Sequence, residues 1–243
     1  MGNLYGKVAI ITGAARGQGA AAAHLFAAEG AKVFLTDMNG EGAAVAEEIG
    51  SDAFFMQHDI SDESGWSRVV AAALERFGKI DILVNNAGIY RPATLQNTDR
   101  NLFDLHYRVN QLGIFLGMSA VVDVMAKTGK GSIINVASGA AMRGMPGTFA
   151  YSATKWAVRG MSKCAAVDLA PLGIRVNSIH PGVIDTPMIE VNGQELNAVF
   201  TTLIPFRRLG TADEVAALVV FLASDAASYI TGAEIAVDGG AIL

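Results

Sequence analysis

Tyr151 and Lys155 stand four residues apart in the stretch Phe149-Ala150-Tyr151-Ser152-Ala153-Thr154-Lys155. On a helix that interval places both side chains on one face. A phenol titrates near ~10 and a lysine near ~10.4, and an ammonium beside a phenol favours the phenolate. The pair therefore predicts a tyrosine of lowered pKa, fit to exchange a proton with an alcohol or carbonyl oxygen near neutral pH. Upstream, Ile133-Ile134-Asn135-Val136-Ala137-Ser138 is a buried-strand run that ends in a hydroxyl. A serine at a strand's carboxyl end can point into the crevice where open α/β sheets bind ligands. Tyr-x-x-x-Lys also occurs as a plain surface pair, so its surroundings decide.

Those surroundings begin at the amino terminus. Lys7-Val8-Ala9-Ile10-Ile11 is a β-branched run read as a buried parallel strand. Thr12-Gly13-Ala14-Ala15-Arg16-Gly17-Gln18-Gly19 follows, then an Ala-rich helix to about Glu29. Strand, glycine turn and helix together make a dinucleotide site, because glycines let the backbone approach a pyrophosphate and the helix amino terminus attracts its charge. A second strand, Ala31 to Thr36, ends at Asp37. An acid there accepts hydrogen bonds from the adenosine ribose and repels a 2′-phosphate, which favours NAD over NADP. A helix cap is the plainer role for Asp37, and Arg16 beside the turn could serve a phosphate instead.

Further strands are predicted at Ala53 to His58, ended by Asp59, and at Ile80 to Val84, ended by Asn85-Asn86-Ala87-Gly88. A long helical stretch over Asp99 to Met125 carries Asn110 among apolar residues. Asparagine is a poor mid-helix residue; it is either a satisfied buried amide or a catalytic group. Strand five runs to Ser138, the Tyr151 helix to about Leu169, and strand six from Ile174 to Ile179, closed by His180-Pro181-Gly182. Residues 186–209 are long and poorly periodic, the pattern of a loop that acts as a lid. Ala212 to Ala223 is a last helix and Gly232 to Val237 a seventh strand. Strands alternate with helices without linker or repeat, which predicts one doubly wound, seven-stranded parallel sheet spanning residues 1–243.

Composition excludes other classes. A net charge of -5 without a basic tract argues against a nucleic-acid surface. No uninterrupted apolar run approaches the ~18 residues of a membrane span. Cys164 is the only cysteine, which forbids an internal disulfide and suits a reducing compartment. The amino terminus lacks signal-peptide features, so the cytoplasm is the expected location. His24, His58, His106 and His180 are scattered, and no metal site is expected.

Taken together and in order, Thr12-Gly13-x-x-x-Gly17-x-Gly19, Asp37, Asp59, Asn85-Asn86-Ala87-Gly88, Asn110, Ser138, Tyr151-x-x-x-Lys155 and Pro181-Gly182 resemble the short-chain dehydrogenase/reductase family from Lys7 to the carboxyl terminus. Tyr151 to Arg159 and Ile174 to Met188 look most like bacterial NAD-dependent hydroxysteroid and cyclic-alcohol dehydrogenases. The resemblance implies that Gly13, Gly17 and Gly19 carry the pyrophosphate turn, that Asp37 binds the adenosine ribose and Asp59 the adenine edge, and that Asn86 lies along the cofactor. Arg16, Gln18, Ile60, Ala87, Gly88 and Ile184 complete the expected cofactor contacts. Pro181-Gly182 would back the nicotinamide and Thr186 contact its carboxamide. Ser138 would orient the substrate oxygen and Tyr151 act as acid/base. Lys155 would bind the nicotinamide ribose and lower the tyrosine pKa, with Asn110 holding a water that extends the proton relay. Family members are commonly homotetramers.

The expected substrate pocket is apolar. Ser138, Ala140, Met145, Tyr151 and Met188 are its principal candidates, with Tyr90, Met142, Pro187, Ile189 and Phe206 around them. Arg91 and Arg143 are expected to be solvated. The substrate implied is a hydrophobic, bulky or cyclic secondary alcohol and its ketone. The rival readings are a 3-ketoacyl-carrier-protein reductase using NADPH, against which Asp37 weighs, and a non-catalytic dinucleotide-binding regulator, which would need none of the four polar residues.

Overall fold

A computed structural model describes residues 2–243. Its strands are β1 (Val8–Thr12), β2 (Lys32–Asp37), β3 (Ala53–Gln57), β4 (Ile82–Asn85), β5 (Gly131–Val136), β6 (Ile174–Pro181) and β7 (Glu234–Val237). Its helices are α1 (Gly17–Ala28), α2 (Gly42–Ile49), α3 (Glu63–Phe77), α4 (Arg100–His106), α5 (Gly113–Thr128), α6 (Phe149–Leu169), α7 (Gly193–Leu203) and α8 (Ala212–Ala223). The strands form one sheet in the order β3-β2-β1-β4-β5-β6-β7, and every pairing is parallel. The chain works outward from β1 to β3, then returns to lay β4 against the other side of β1. That reversal opens a crevice at the carboxyl ends of the strands, the place where such sheets take ligands.

Alternation along the strands builds two cores. Ala9 and Ile11 face α1, α2 and α8, packing with Phe26, Val45 and Val219; Ile10 faces α3, α5 and α6, packing with Trp66, Val121 and Val158. Both faces of the sheet are thus covered, which is why β1, β4 and β5 are buried at every position and mostly apolar. Helix punctuation follows the sequence signals. Asp62 accepts from Ser64 N–H to cap α3, Asp99 from Leu102 N–H to cap α4, and Thr211 with Glu214 forms a capping box on α8. Gly78 and Gly129 close α3 and α5 in the left-handed conformation.

Three features differ from the sequence expectation. The stretch predicted as one helix over 99–125 is α4, a π turn at Tyr107–Leu112, and α5, in direct succession. Its wider turn takes in Asn110, the residue that suits an α-helix interior least. By length and a mean hydropathy of 1.5 the continuous run Arg100–Thr128 could cross a membrane. Here Ile114, Val121 and Met125 are instead buried in the sheet's core. Second, residues 186–209 are not a loop: a 3-10 segment, Pro187–Asn192, leads into α7. No residue of α7 is buried, and Leu196, Val199 and Leu203 are exposed. Leu196, Val199, Phe200 and Leu203 recur at helical spacing, a short stripe that the reading of 186–209 as poorly periodic missed, and Phe200 and Leu203 use it to face the cleft. Third, β7 begins at Glu234 rather than Gly232, whose φ of +69° belongs to the preceding turn.

Candidate active site

The glycine turn is built for close approach. Gly13 has φ +66°, and a Cβ there would stand 2.7 Å from Ala87 Cα. A Cβ on Gly19 would lie 2.0 Å from Gly13 O and 2.6 Å from Asn86 Nδ2. Gly19 therefore lets α1 fold back on the turn and does not itself line the cleft. Asn86 Nδ2 donates to Thr12 O and Gly13 O (3.0 and 3.1 Å), and Thr12 Oγ1 accepts from Asn86 N and Ala87 N. The Asn85-Asn86-Ala87-Gly88 turn thus buttresses the glycine turn. α1 starts at Gly17 with no side-chain cap on its first amides, and Gly17 and Gln18 both line the cleft. Free helix amides beside a bare backbone suit an anion. Gln18 Oε1 is buried without a partner among the described residues. Thr186 faces Gly17 from across the cleft, 3.4 Å from where a Cβ would stand.

Asp37 does not cap α2. The residue before that helix is Glu41, which makes no side-chain cap. Asp37 instead accepts from Ala15 N (3.0 Å) in the glycine turn and from Asn39 N (2.9 Å). Asp59 accepts from Ser61 N and Oγ and reaches the same cleft, as do Arg16 and the buried Ile60. Gly88, Pro181, Gly182 and Ile184 line its floor farther along. These residues fit a dinucleotide: backbone for phosphates at one point, a carboxylate for ribose hydroxyls at another.

Ser138, Tyr151 and Lys155 meet at the other half of the cleft. Ser138 ends the strand and starts a short turn, Gly139–Ala141, where its Oγ accepts from Ala140 N (3.1 Å). Lys155, only 3 % exposed, donates from Nζ to Val136 O at 2.8 Å. Its Nζ stands 5.8 Å from the Tyr151 ring centroid. The expected lowering of the tyrosine pKa is overturned. Loss of solvent pushes the phenol up to about 12, with Tyr90 adding to the rise and the Ser138 hydroxyl opposing it. Burial also brings Lys155 down to about 8. Both shifts favour the neutral form, because each group has lost its solvent. Asn110 lies behind the cleft. Its Oδ1 accepts from Ile89 N (2.8 Å) and its Nδ2 donates to Ile89 O (2.9 Å), so its side chain is a satisfied amide that pins the strand-four loop. A Cβ on Gly88 would fall 3.2 Å from Asn110 Oδ1 and 3.5 Å from Lys155 Nζ, which places both polar groups against the side of Gly88 where a side chain would stand.

The Lys155 shift has a sign that stability can read. The folded pKa lies below the ordinary 10.5, so between about pH 8 and 10.5 the unfolded chain binds the extra proton and stability rises with pH. Chemical denaturation across that range is expected to show a gain on the order of 3 kcal/mol in the parent. Lys155→Met should abolish it; the same slope in the variant would assign it elsewhere.

Tyr90, expected in the pocket wall, sits edge-on to Tyr151 with centroids 5.0 Å apart, and buried His106, which was not anticipated, lies 6.4 Å away. His106 accepts at Nε2 from Arg91 N and donates from Nδ1 to Leu102 O, which fixes a neutral ring. Ala140, Met145, Pro187, Met188 and Ile189 line the apolar half as expected, whereas Met142 and Phe206 stay outside it. Missing from the sequence reading were Phe200, Leu203 and Ile204 from the α7 end, and Ala241 and Ile242 at the carboxyl terminus. Their only signal was apolar residues beyond the last regular elements. The cleft they complete holds about 970 Å³.

A family model described as Enoyl-(Acyl carrier protein) reductase matches residues 13–241. The chain is 44% identical to a 3-alpha-(or 20-beta)-hydroxysteroid dehydrogenase of Mycobacterium bovis, over 99% of this chain and 91% of the relative. It is 43% identical to a trans-4-hydroxycyclohexanecarboxylate dehydrogenase of Sinomonas cyclohexanicum, over 96% and 92%. A solved 3-ketoacyl-(acyl-carrier-protein) reductase from Brucella melitensis, complexed with NADH, superposes with a TM-score of 0.94 at 39% identity, covering 99% of this chain and 100% of that one.

Proposed function

Because the chain belongs to the short-chain dehydrogenase/reductase family, and so is an oxidoreductase, we propose that it interconverts a hydrophobic, cyclic secondary alcohol and its ketone with NAD(H), a hydroxysteroid or alicyclic alcohol being the substrate class. One observation carries this reading: a single cleft has the glycine turn and Asp37 at one end and Ser138, Tyr151 and Lys155 against an apolar wall at the other. The relatives named for hydroxysteroids and for a cyclohexane alcohol support the substrate class.

Gly13, Gly17 and the α1 amides would hold the pyrophosphate, with Gly19 letting α1 pack against their turn; Asp37 would hold the adenosine ribose, and Thr186 with Pro181-Gly182 the nicotinamide end. The bound nicotinamide supplies or accepts the hydride. The chain's own residues handle the proton. In reduction the neutral phenol of Tyr151, the form its surroundings favour, donates its proton to the substrate oxygen, which Ser138 Oγ holds. In oxidation Tyr151, having first released its own proton to solvent, takes the hydroxyl proton of the alcohol as the phenolate while the hydride would pass to the nicotinamide. Lys155, charged below about pH 8, steadies that phenolate. Methionines 145 and 188 give the wall an adaptable surface.

A set of exposed aromatics supports a proposal of homo-oligomer assembly, a tetramer by analogy with the family. Phe103 and Phe149 lie 6.4 Å apart, and Tyr107, Phe115 and Trp156, on the same helical stretches, are exposed as well. A cytoplasmic location is proposed with it.

Initial rates of NADH and NADPH oxidation with a 3-oxosteroid, cyclohexanone, a straight-chain ketone and an acetoacetyl thioester test the reading. A strong NADH preference with the steroid or cyclic ketone is expected. NADPH with the thioester would turn the assignment to a ketoacyl reductase, the activity named for the Brucella structure. Tight NADH binding with no turnover on any ketone would turn it to a regulator.

A further inference from the structure

The loop that carries Ser138 is gripped from behind at two carbonyl oxygens. Arg159 sits one helical turn past Lys155 on α6. Its Nη1 donates to Ala141 O at 2.6 Å, the last residue of the Gly139–Ala141 turn. Glu234, the first residue of β7, holds the same guanidinium in a fork: Nε to Oε1 at 2.8 Å and Nη2 to Oε2 at 3.1 Å. The pair is largely out of solvent, with side chains 21 % and 15 % exposed. Lys163 Nζ approaches Glu234 at 3.6 Å but is itself exposed. The second grip is His180. Its ring is wholly buried, with Nδ1 3.1 Å from Ser138 O and Nε2 3.1 Å from Ser178 Oγ. A proton on Nδ1 lets the ring donate to the Ser138 carbonyl while Nε2 accepts from the Ser178 hydroxyl.

We infer that Glu234, Arg159 and His180 are positioning residues for Ser138: Arg159, held by Glu234, and His180 fix the two ends of the turn that aims the Ser138 hydroxyl toward Tyr151. A surface ion pair would do no such work, since exposed pairs contribute little. This one is planar, forked and shielded, with a third donor left over and spent on a backbone carbonyl. The turn's own bonds are Ala141 N and Met142 N closing on Ser138 O and Gly139 O, and Ala140 N on Ser138 Oγ. Its residues are buried, Ala141 within the core, so packing keeps the turn in place while the outside grips set its exact pose. Without them a small shift of the turn carries the hydroxyl away from the reacting oxygen.

The inference rests on Ser138 holding the substrate oxygen, so the test separates the two. Steady-state kinetics are compared for parent, Ser138→Ala, Glu234→Ala, Arg159→Met and the double variants Ser138→Ala/Glu234→Ala and Ser138→Ala/Arg159→Met, with cyclohexanone and NADH. Glu234→Ala and Arg159→Met are each expected to lower kcat about 30-fold, within the range a misplaced group costs. The dissociation constant for NADH should stay within twofold. In the Ser138→Ala background either change should cost less than threefold more, because its route of action is already gone. Losses that multiply in the double variants, or an NADH affinity that falls with kcat, would overturn the inference. A parental rate in Ser138→Ala alone would instead overturn the role of Ser138. Arg159→Met could fail to fold; Glu234→Ala, which leaves the guanidinium in place, then carries the comparison. A crystal structure of Glu234→Ala reads the same question without turnover. A Ser138 turn unmoved and ordered, with Arg159 released, would refute the grip.

Discussion

Tyr151→Phe is expected to lower turnover by about 10³-fold or more, in line with the loss of a positioned general acid and base, while NADH binding stays close to the parent's. Both halves of the expectation come from the geometry. The phenol hydroxyl is hydrogen-bonded to Ser138 at the apolar end of the cleft, and loss of solvent holds it neutral, at about 12. The ring itself packs edge-on with Tyr90 and near His106, contacts that phenylalanine keeps. The variant should therefore fold and hold the dinucleotide at the far end. Turnover within tenfold of the parent, measured as NADH oxidation with the best ketone, would remove Tyr151 from the chemistry.

Asp37→Asn is expected to raise the ratio of NADPH to NADH efficiency by about 100-fold. A unit charge ~4 Å from a 2′-phosphate across an effective dielectric of ~20 is worth about 4 kcal/mol, and the half-exposure of this side chain discounts it to about 2–3 kcal/mol. Asparagine keeps an oxygen for the Asn39 amide that Asp37 now serves, so the turn should survive the loss of charge. Ratios of kcat/KM for the two cofactors decide it. A ratio within threefold of the parent would mean that Asp37 braces the glycine turn through Ala15 and does not select the cofactor.

The doubly wound sheet was legible because its signals are local. A β-branched run, a glycine turn and a helix in that order allow few other arrangements, and the alternation of Ala9, Ile10 and Ile11 between two cores is what an unbroken apolar run encodes. The polar residues at the carboxyl ends of strands could be assigned to one crevice for the same reason. What failed was whatever depends on solvent and on distant packing. The spacing of Tyr151 and Lys155 showed that they share a face, but not that the ammonium would turn to Val136 O or that loss of solvent would push the phenol up. α7 was missed because its stripe, Leu196, Val199, Phe200 and Leu203, spans only about two turns between irregular stretches and is averaged away over 186–209. The wall supplied by Ala241 and Ile242 was invisible because a chain end has no periodicity to read. Arg159 and Glu234 are 75 residues apart, and nothing in either neighbourhood names the other.

The π turn between α4 and α5 also ties two otherwise separate properties to a single residue count. A π turn holds one more residue than the α turn it replaces, so it behaves as an accommodated insertion. Deleting one of the six residues Tyr107–Leu112 would therefore restore a regular helix and leave Ile114, Val121 and Met125 on the face they now turn to the sheet. The loss would be local: the bulge would close, and the amide that pins Ile89 would lose its place. The helix tolerates shortening here; the support of the strand-four loop does not.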